Sequence, residues 1–191
     1  MNCVIKTAPT KDPISLEDAK VMIGLLTDQN QFDGFVKSLI KSAVNVFEGE
    51  TNTALMRQTW YGYIDDWPLE DDFIEIWKPP LKSITAIKYT DSSNVQHTWS
   101  TSEYAVDINI EPGRVYLKYL KDYPTVVLAP TSNAIEIEYV CGYSEETDVP
   151  YSIINVLKQL VEYWFTNRGA DSGKVPESIM NQIHKHRVFY L

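Results

Sequence analysis

The chain has 191 residues, 44% hydrophobic and 12% aromatic, enough to bury a core and too apolar for a disordered protein. Its formal charge is −9 and its pI about 4.8, with the 17 Lys and Arg residues scattered along the chain. That balance excludes binding to nucleic acid by phosphate neutralisation, which needs clustered cations. Cys3 and Cys141 are the only cysteines, which excludes a disulfide framework or a zinc site and leaves two free, partly buried thiols. No apolar leader opens the chain and no run approaches the length of a membrane span, so the expectation is a soluble protein of a reducing cytoplasm.

Residues 1–13 read as an arm, since Pro9 and Pro13 stop any helix there. Ser15 then stands as an N-cap with Asp18 three residues on, opening a short helix over about 15–26. The most informative stretch is 31–53. Phe32, Phe35, Val36, Leu39, Ile40, Ala43, Val44 and Phe47 recur in steps of three and four, which places them on one helical face. Gln31, Asp33, Lys37, Lys41, Asn45 and Glu48 fall on the other. A lone short helix is unstable in water, so this one needs a partner. The matching periodicity lies at 150–168, in Ile153, Ile154, Leu157, Leu160, Val161, Trp164 and Phe165, behind Pro150 at a helix start. A last helix is expected at 176–185.

Between these helices the rhythm shifts from near 3.6 to near 2. Short runs at 59–63, 73–77, 81–91, 95–99, 104–108, 115–117 and 134–142 alternate β-branched or aromatic residues with polar ones, the habit of strands. The clearest is 134–142, with Ile135, Ile137 and Tyr139 on one side and Glu136, Glu138 and Val140 on the other. The fold class read from this order is α+β: a helical bundle of two N-terminal and two C-terminal helices, forming one domain over 1–191, with a β-rich antiparallel insertion at about 56–143.

Patterns that suggest chemistry fail in detail. Gly169-x-x-x-Gly173-Lys174 is one residue short of a phosphate loop, and Val175 stands where Ser or Thr is required. Asp107-x-Asn109-x-Glu111 has Pro112 where a calcium loop needs Gly. His184 and His186, two apart on a helix, point in different directions. His97 stands alone in a strand. The acidic pairs Asp65/Asp66, Asp71/Asp72 and Glu145/Glu146 lie in loops, where neighbouring carboxylates are solvated charge. The expectation is therefore no enzyme, no catalytic residue, no metal and no cofactor.

Non-catalytic features stand out more. Trp67 and Trp99 belong to a tryptophan- and tyrosine-rich insertion, where they form either a small aromatic core or a subunit interface, a setting in which such residues are over-used. The chain closes on Val188-Phe189-Tyr190-Leu191, unusually apolar for a terminus. These four residues with Trp67 and Trp99 are the candidate protein-contact residues.

Several pieces, taken in order, resemble the head–tail connector (adaptor) proteins of tailed bacteriophages. They are Ile14-Ser15-Leu16-Glu17-Asp18-Ala19-Lys20; Glu48 with Thr51-Asn52 and Ala54-Leu55; and Arg57-Gln58-Thr59-Trp60. Further along come Pro79-Pro80-Leu81-Lys82-Ser83-Ile84, Glu111-Pro112-Gly113-Arg114, Tyr139-Val140-x-Gly142-Tyr143, Val149-Pro150 and Trp164-x-x-Asn167-Arg168. The resemblance spans nearly the whole chain, and the tyrosine-rich loop at 118–132 departs from it in length. It implies a helical bundle with a β insertion and no active site. It implies a virion protein, assembled in the bacterial host cytoplasm, that forms a ring of about a dozen copies through unlike faces. The partners it implies are the portal protein above and a stopper or tail-completion protein below, with DNA passing through the lumen unbound and no membrane contact. The alternative is a β-rich carbohydrate- or protein-binding module of a phage or bacterium.

Overall fold

The computed structural model describes residues 1–69, 72–168 and 175–190, and the chain divides into two compact units. One, Thr10–Met56 with Tyr143–Val188, is helical. The other, Met1–Pro9 with Arg57–Gly142 and Phe189–Leu191, holds the strands.

In the helical unit, α1 is Leu16–Met22, α2 Asp33–Thr51, α3 Tyr151–Thr166 and α4 Glu177–His184. The hydroxyl of Ser15 accepts the Asp18 N–H at 3.0 Å, as the capping pattern requires. The first helix is shorter than expected. Gly24 takes a left-handed φ of +76°, and the Leu25 N–H turns back to the Lys20 carbonyl at 2.9 Å, a C-cap that halts the helix at Met22. The second helix ends at Thr51 because Asn52 is left-handed, with φ 60°. On α2 the fully buried residues are Val36, Ile40, Ala43, Phe47 and Thr51. The first four pack in one cluster with Ile153, Val156, Leu157, Leu160 and Val161 of α3 and with Ile179 and Ile183 of α4. The two amphipathic stretches, a hundred residues apart, thus share a core. Burying each large side chain contributes about 1.5–3 kcal/mol. Phe35 sits at the margin of that face, 39% exposed.

Among the described residues of this unit, one buried residue is charged. Lys20 is 1% exposed; its ammonium donates to the Thr27 carbonyl at 2.8 Å and to Asp33 Oδ1 at 2.7 Å. It ties the end of α1 to the start of α2.

The β unit contains two antiparallel sheets. Its strands are β1 Asn2–Thr7, β2 Gln58–Ile64, β3 Ile74–Ile76, β4 Leu81–Thr90, β5 Gln96–Thr98, β6 Tyr104–Asp107, β7 Gly113–Leu117 and β8 Ile135–Cys141. Five run in the order β1-β2-β8-β4-β5, and three in the order β3-β7-β6. Central β8 alternates as expected: Ile135, Ile137, Tyr139 and Cys141 are buried, while Glu138 reaches out to Lys6 at 2.8 Å. At the start of β7 a Cβ on Gly113 would lie 2.6 Å from Leu81 Cδ2, so only glycine fits beneath that side chain.

The N-terminal stretch differs from the expected arm. Asn2–Thr7 pairs antiparallel with β2, from Asn2 opposite Tyr63 to Thr7 opposite Thr59. Five of its six residues are exposed, so it carries no inside–outside alternation for a sequence reading to detect. Among the described residues no helix is long and apolar enough to cross a membrane.

Candidate assembly surface

The residues with chemical potential are spread out and engaged locally. His97 hydrogen-bonds Asp91 at 2.7 Å across a turn. That bond, with the N–H groups of Val95 and Ser93, holds the Asp91 carboxyl below its ordinary range. Asp107 Oδ1 accepts the Asn109 N–H at 2.9 Å, an Asx turn at the end of β6. His184 faces Glu50 at 3.3 Å, whereas the His186 ring lies 5.8 Å from that of Phe47. Among the described residues no group of three His, Cys, Asp or Glu could hold a metal ion. The segment with phosphate-loop spacing, Gly169 to Lys174, lies outside the described residues, as does Asp71.

Trp67 and Trp99 lie together. Their rings are 5.0 Å apart, edge on, and Tyr123 stacks on Trp67 at 5.4 Å. Tyr89 meets Trp67 at 5.6 Å and Tyr104 meets Trp99 at 4.7 Å. Strands β4 and β6 and the loops after β2, β5 and β7 each bring a ring to this cluster. Trp99 is only 4% exposed, an interior residue of the β unit. Trp67 is half-buried, and its indole N–H finds no acceptor among the described residues.

The C-terminal residues have different surroundings. In the helical unit the Val188 N–H donates to the Thr51 carbonyl at 2.9 Å. In the β unit Tyr190 stacks on Trp77 at 4.6 Å, and its hydroxyl accepts the Lys78 N–H at 3.1 Å. Burial raises the Tyr190 phenol to about 12. Phe189 is 75% exposed. Leu191 lies outside the described residues.

The loop after β7 carries residues that the sequence did not single out. Tyr119 is 90% and Leu120 82% exposed, side by side on a turn closed by the Lys121 N–H to the Lys118 carbonyl at 3.0 Å. Leu120 is left-handed, with φ 56°. That conformation costs a non-glycine residue about 1–2 kcal/mol. The turn is nevertheless held firmly. Lys118 Nζ donates to the Thr101 carbonyl at 2.8 Å, Lys121 pairs with Glu103 at 3.2 Å, and Tyr123 is locked in the aromatic cluster. An exposed apolar pair on a braced, strained turn has the form of a protein-contact site. The sequence signal was the Tyr119-Leu120 pair set between Lys118 and Lys121.

No protein-family model matches the chain, and no curated protein matches it. Solved structures do. A chain in the neck of an empty gene transfer agent (GTA) particle, computed with C6 symmetry, superposes with a TM-score of 0.79 at 19% identity, covering 100% of this chain and 97% of that one. A chain in the virion of the native GTA particle gives 0.78 at 17% identity over the same shares. A chain in the native GTA neck, computed with C12 symmetry, gives 0.73 at 17%. From end to end, this chain has the fold of a chain built into those particles, the α+β fold that the head–tail connector resemblance implies.

Proposed function

We propose that the protein is a structural component of the neck of a phage or phage-like particle: a head–tail connector (adaptor) without catalytic activity. Its copies form a ring beneath the portal protein and join the DNA-filled head to a stopper or tail-completion protein. The observation that carries this reading is the end-to-end superposition on neck chains, at 100% coverage of this chain. The symmetric necks in which those chains sit support self-association into a ring of six- or twelve-fold symmetry. The packed α2–α3 core supplies a rigid wall, and the net charge of −9 lets a polyanion pass without adhering. The contact residues toward neighbouring proteins are Tyr119, Leu120 and Phe189, the exposed members of the candidate surface.

The rival reading, a glycan-binding module, needs a flat exposed tryptophan. All five tryptophans are half-buried or buried, and Trp67 is covered by Tyr123, so the connector reading is preferred. The test is to mix the full chain with the portal protein of its own particle and measure mass and symmetry by light scattering and electron microscopy. A ring stacked on the portal is expected, with binding weakened by Phe189→Asp or Leu120→Asp. A chain that neither binds the portal nor forms a ring on it refutes the proposal.

A further inference from the structure

The helical unit has unlike ends. At the C-terminal end of α3 the Arg168 guanidinium lies over the Phe165 ring, 3.9 Å from its centroid, with Phe35 at 4.9 Å and Phe32 at 5.5 Å. Its Nε donates to the Phe165 carbonyl at 2.9 Å, which fixes the plane of the group. No acceptor among the described residues takes the N–H groups of its two Nη atoms. A planar cation held on rings, with its outer donors open, is arranged to take a carboxylate in a forked pair. Next to it Phe35 is 39% exposed, which leaves an apolar edge beside the charge.

The other end of α3 carries the opposite chemistry. The 3-10 turn Glu146–Asp148 precedes the helix, and Tyr151, its first residue, is 85% exposed. Glu145 and Asp148 are occupied in a reciprocal cap, and Glu145 also pairs with Lys11 at 2.6 Å. Glu146 is exposed, and its carboxylate has no partner among the described residues. The 16 residues of α3 separate the two ends by about 24 Å at 1.5 Å per residue.

We propose that successive copies of this chain join head to tail through these two ends. Arg168 of one copy takes Glu146 of the next, and Tyr151 of that next copy lies on the Phe35–Phe165 edge. The occupant is a second copy because the charges and the aromatic surfaces are complementary within one sequence. The two patches lie at opposite ends of one helix, so the contact is heterologous and passes from copy to copy; rotation about it closes a ring. This assignment deepens the connector reading by naming the neighbour-to-neighbour contact, and rests on that reading for the choice of a ring.

The experiment is sedimentation velocity on the full chain at concentrations up to about 1 mM, the weak end of specific association. Arg168→Ala and, separately, Glu146→Lys combined with Tyr151→Ala are each expected to weaken self-association at least tenfold, the effect of a hot-spot residue. Arg168→Lys should weaken it too, because an ammonium lacks the planar fork. Mixing the first two variants should yield a 1:1 pair that grows no further, since each contributes one intact end. Unchanged urea midpoints show that the variants fold. Self-association of both variants at wild-type strength overturns the contact, and so does a wild-type chain that stays monomeric throughout. Neither result bears on portal binding, which is read separately in the mixing assay with portal protein.

Discussion

The buried ion pair between α1 and α2 makes a prediction in which the order of the effects matters more than their size. Lys20 has a side chain 2% exposed, whereas Asp33 keeps 28% of its surface. Removing one partner of a buried pair costs about 3–5 kcal/mol when the other is left charged and dry. Asp33→Asn leaves an ammonium with only carbonyl oxygens around it, and it also removes an acid from the first turn of α2, worth about 0.3–1 kcal/mol. It should therefore cost about 3–6 kcal/mol. Lys20→Met leaves a carboxylate that water still reaches, plus an unpaired Thr27 carbonyl, and should cost about 1–2 kcal/mol. The double variant leaves no stranded charge and should lie within about 1.5 kcal/mol of wild type. Urea unfolding followed by helix ellipticity reads these values; at 1–3 kcal/mol per M, the Asp33→Asn midpoint falls by at least about 1 M. If Lys20→Met is as costly as Asp33→Asn, or if the two effects simply add, the pair does not hold this turn as the geometry says.

Three further outcomes are expected. Trp99→Ala empties the middle of the aromatic cluster at a residue 4% exposed, and should cost about 3–5 kcal/mol with loss of near-UV ellipticity; a cost below about 1 kcal/mol would show that the rings are not packed. Leu120→Gly relieves a left-handed backbone and should leave stability unchanged or raise it by up to about 1 kcal/mol; a clear loss in thermal unfolding would mean that the leucine packs within its own chain. His186 sits below its ordinary value of about 6.5 because it is partly buried and, secondarily, because Lys185 is adjacent. Its unfolded form therefore binds the proton more readily, so the associated stability is full above about 6.5 and is lost as the pH falls below that value. The urea midpoint of wild type should drop more between pH 7.5 and 5.5 than that of His186→Phe, and equal drops would rule out this histidine as the cause.

Much of the candidate surface could be read only in part. Trp67 and Trp99 are legible as members of an aromatic insertion, but aromatic content alone does not separate a core from an interface. Three tyrosines from separate strands and a loop enclose them, and no local pattern encodes that convergence. The apolar chain end is equally ambiguous in sequence. Tyr190 has a stacking partner 113 positions away in Trp77, while Phe189 beside it remains exposed. Tyr119 and Leu120 passed as loop residues because the stretch 118–132 mixes apolar and polar residues without a period, which hides which side chains the turn holds outward.

What the sequence determined by itself is the period of each element and the identity of the faces to be buried. Steps of three and four in α2 and α3, and alternation in β8, leave one way to bury apolar area. That requirement paired helices across a hundred residues, with the strands lying between them in the sequence. What only the tertiary structure decided are the features without a period of their own. Lys20 is a charged residue on a short helix and is buried because Thr27 and Asp33 fold back onto it. Asn2–Thr7 reads as an arm and is a strand because β2 presents an edge to it. Both depend on partners supplied by distant or turning backbone, and a hydrogen bond or ion pair leaves no repeat in the sequence that forms it.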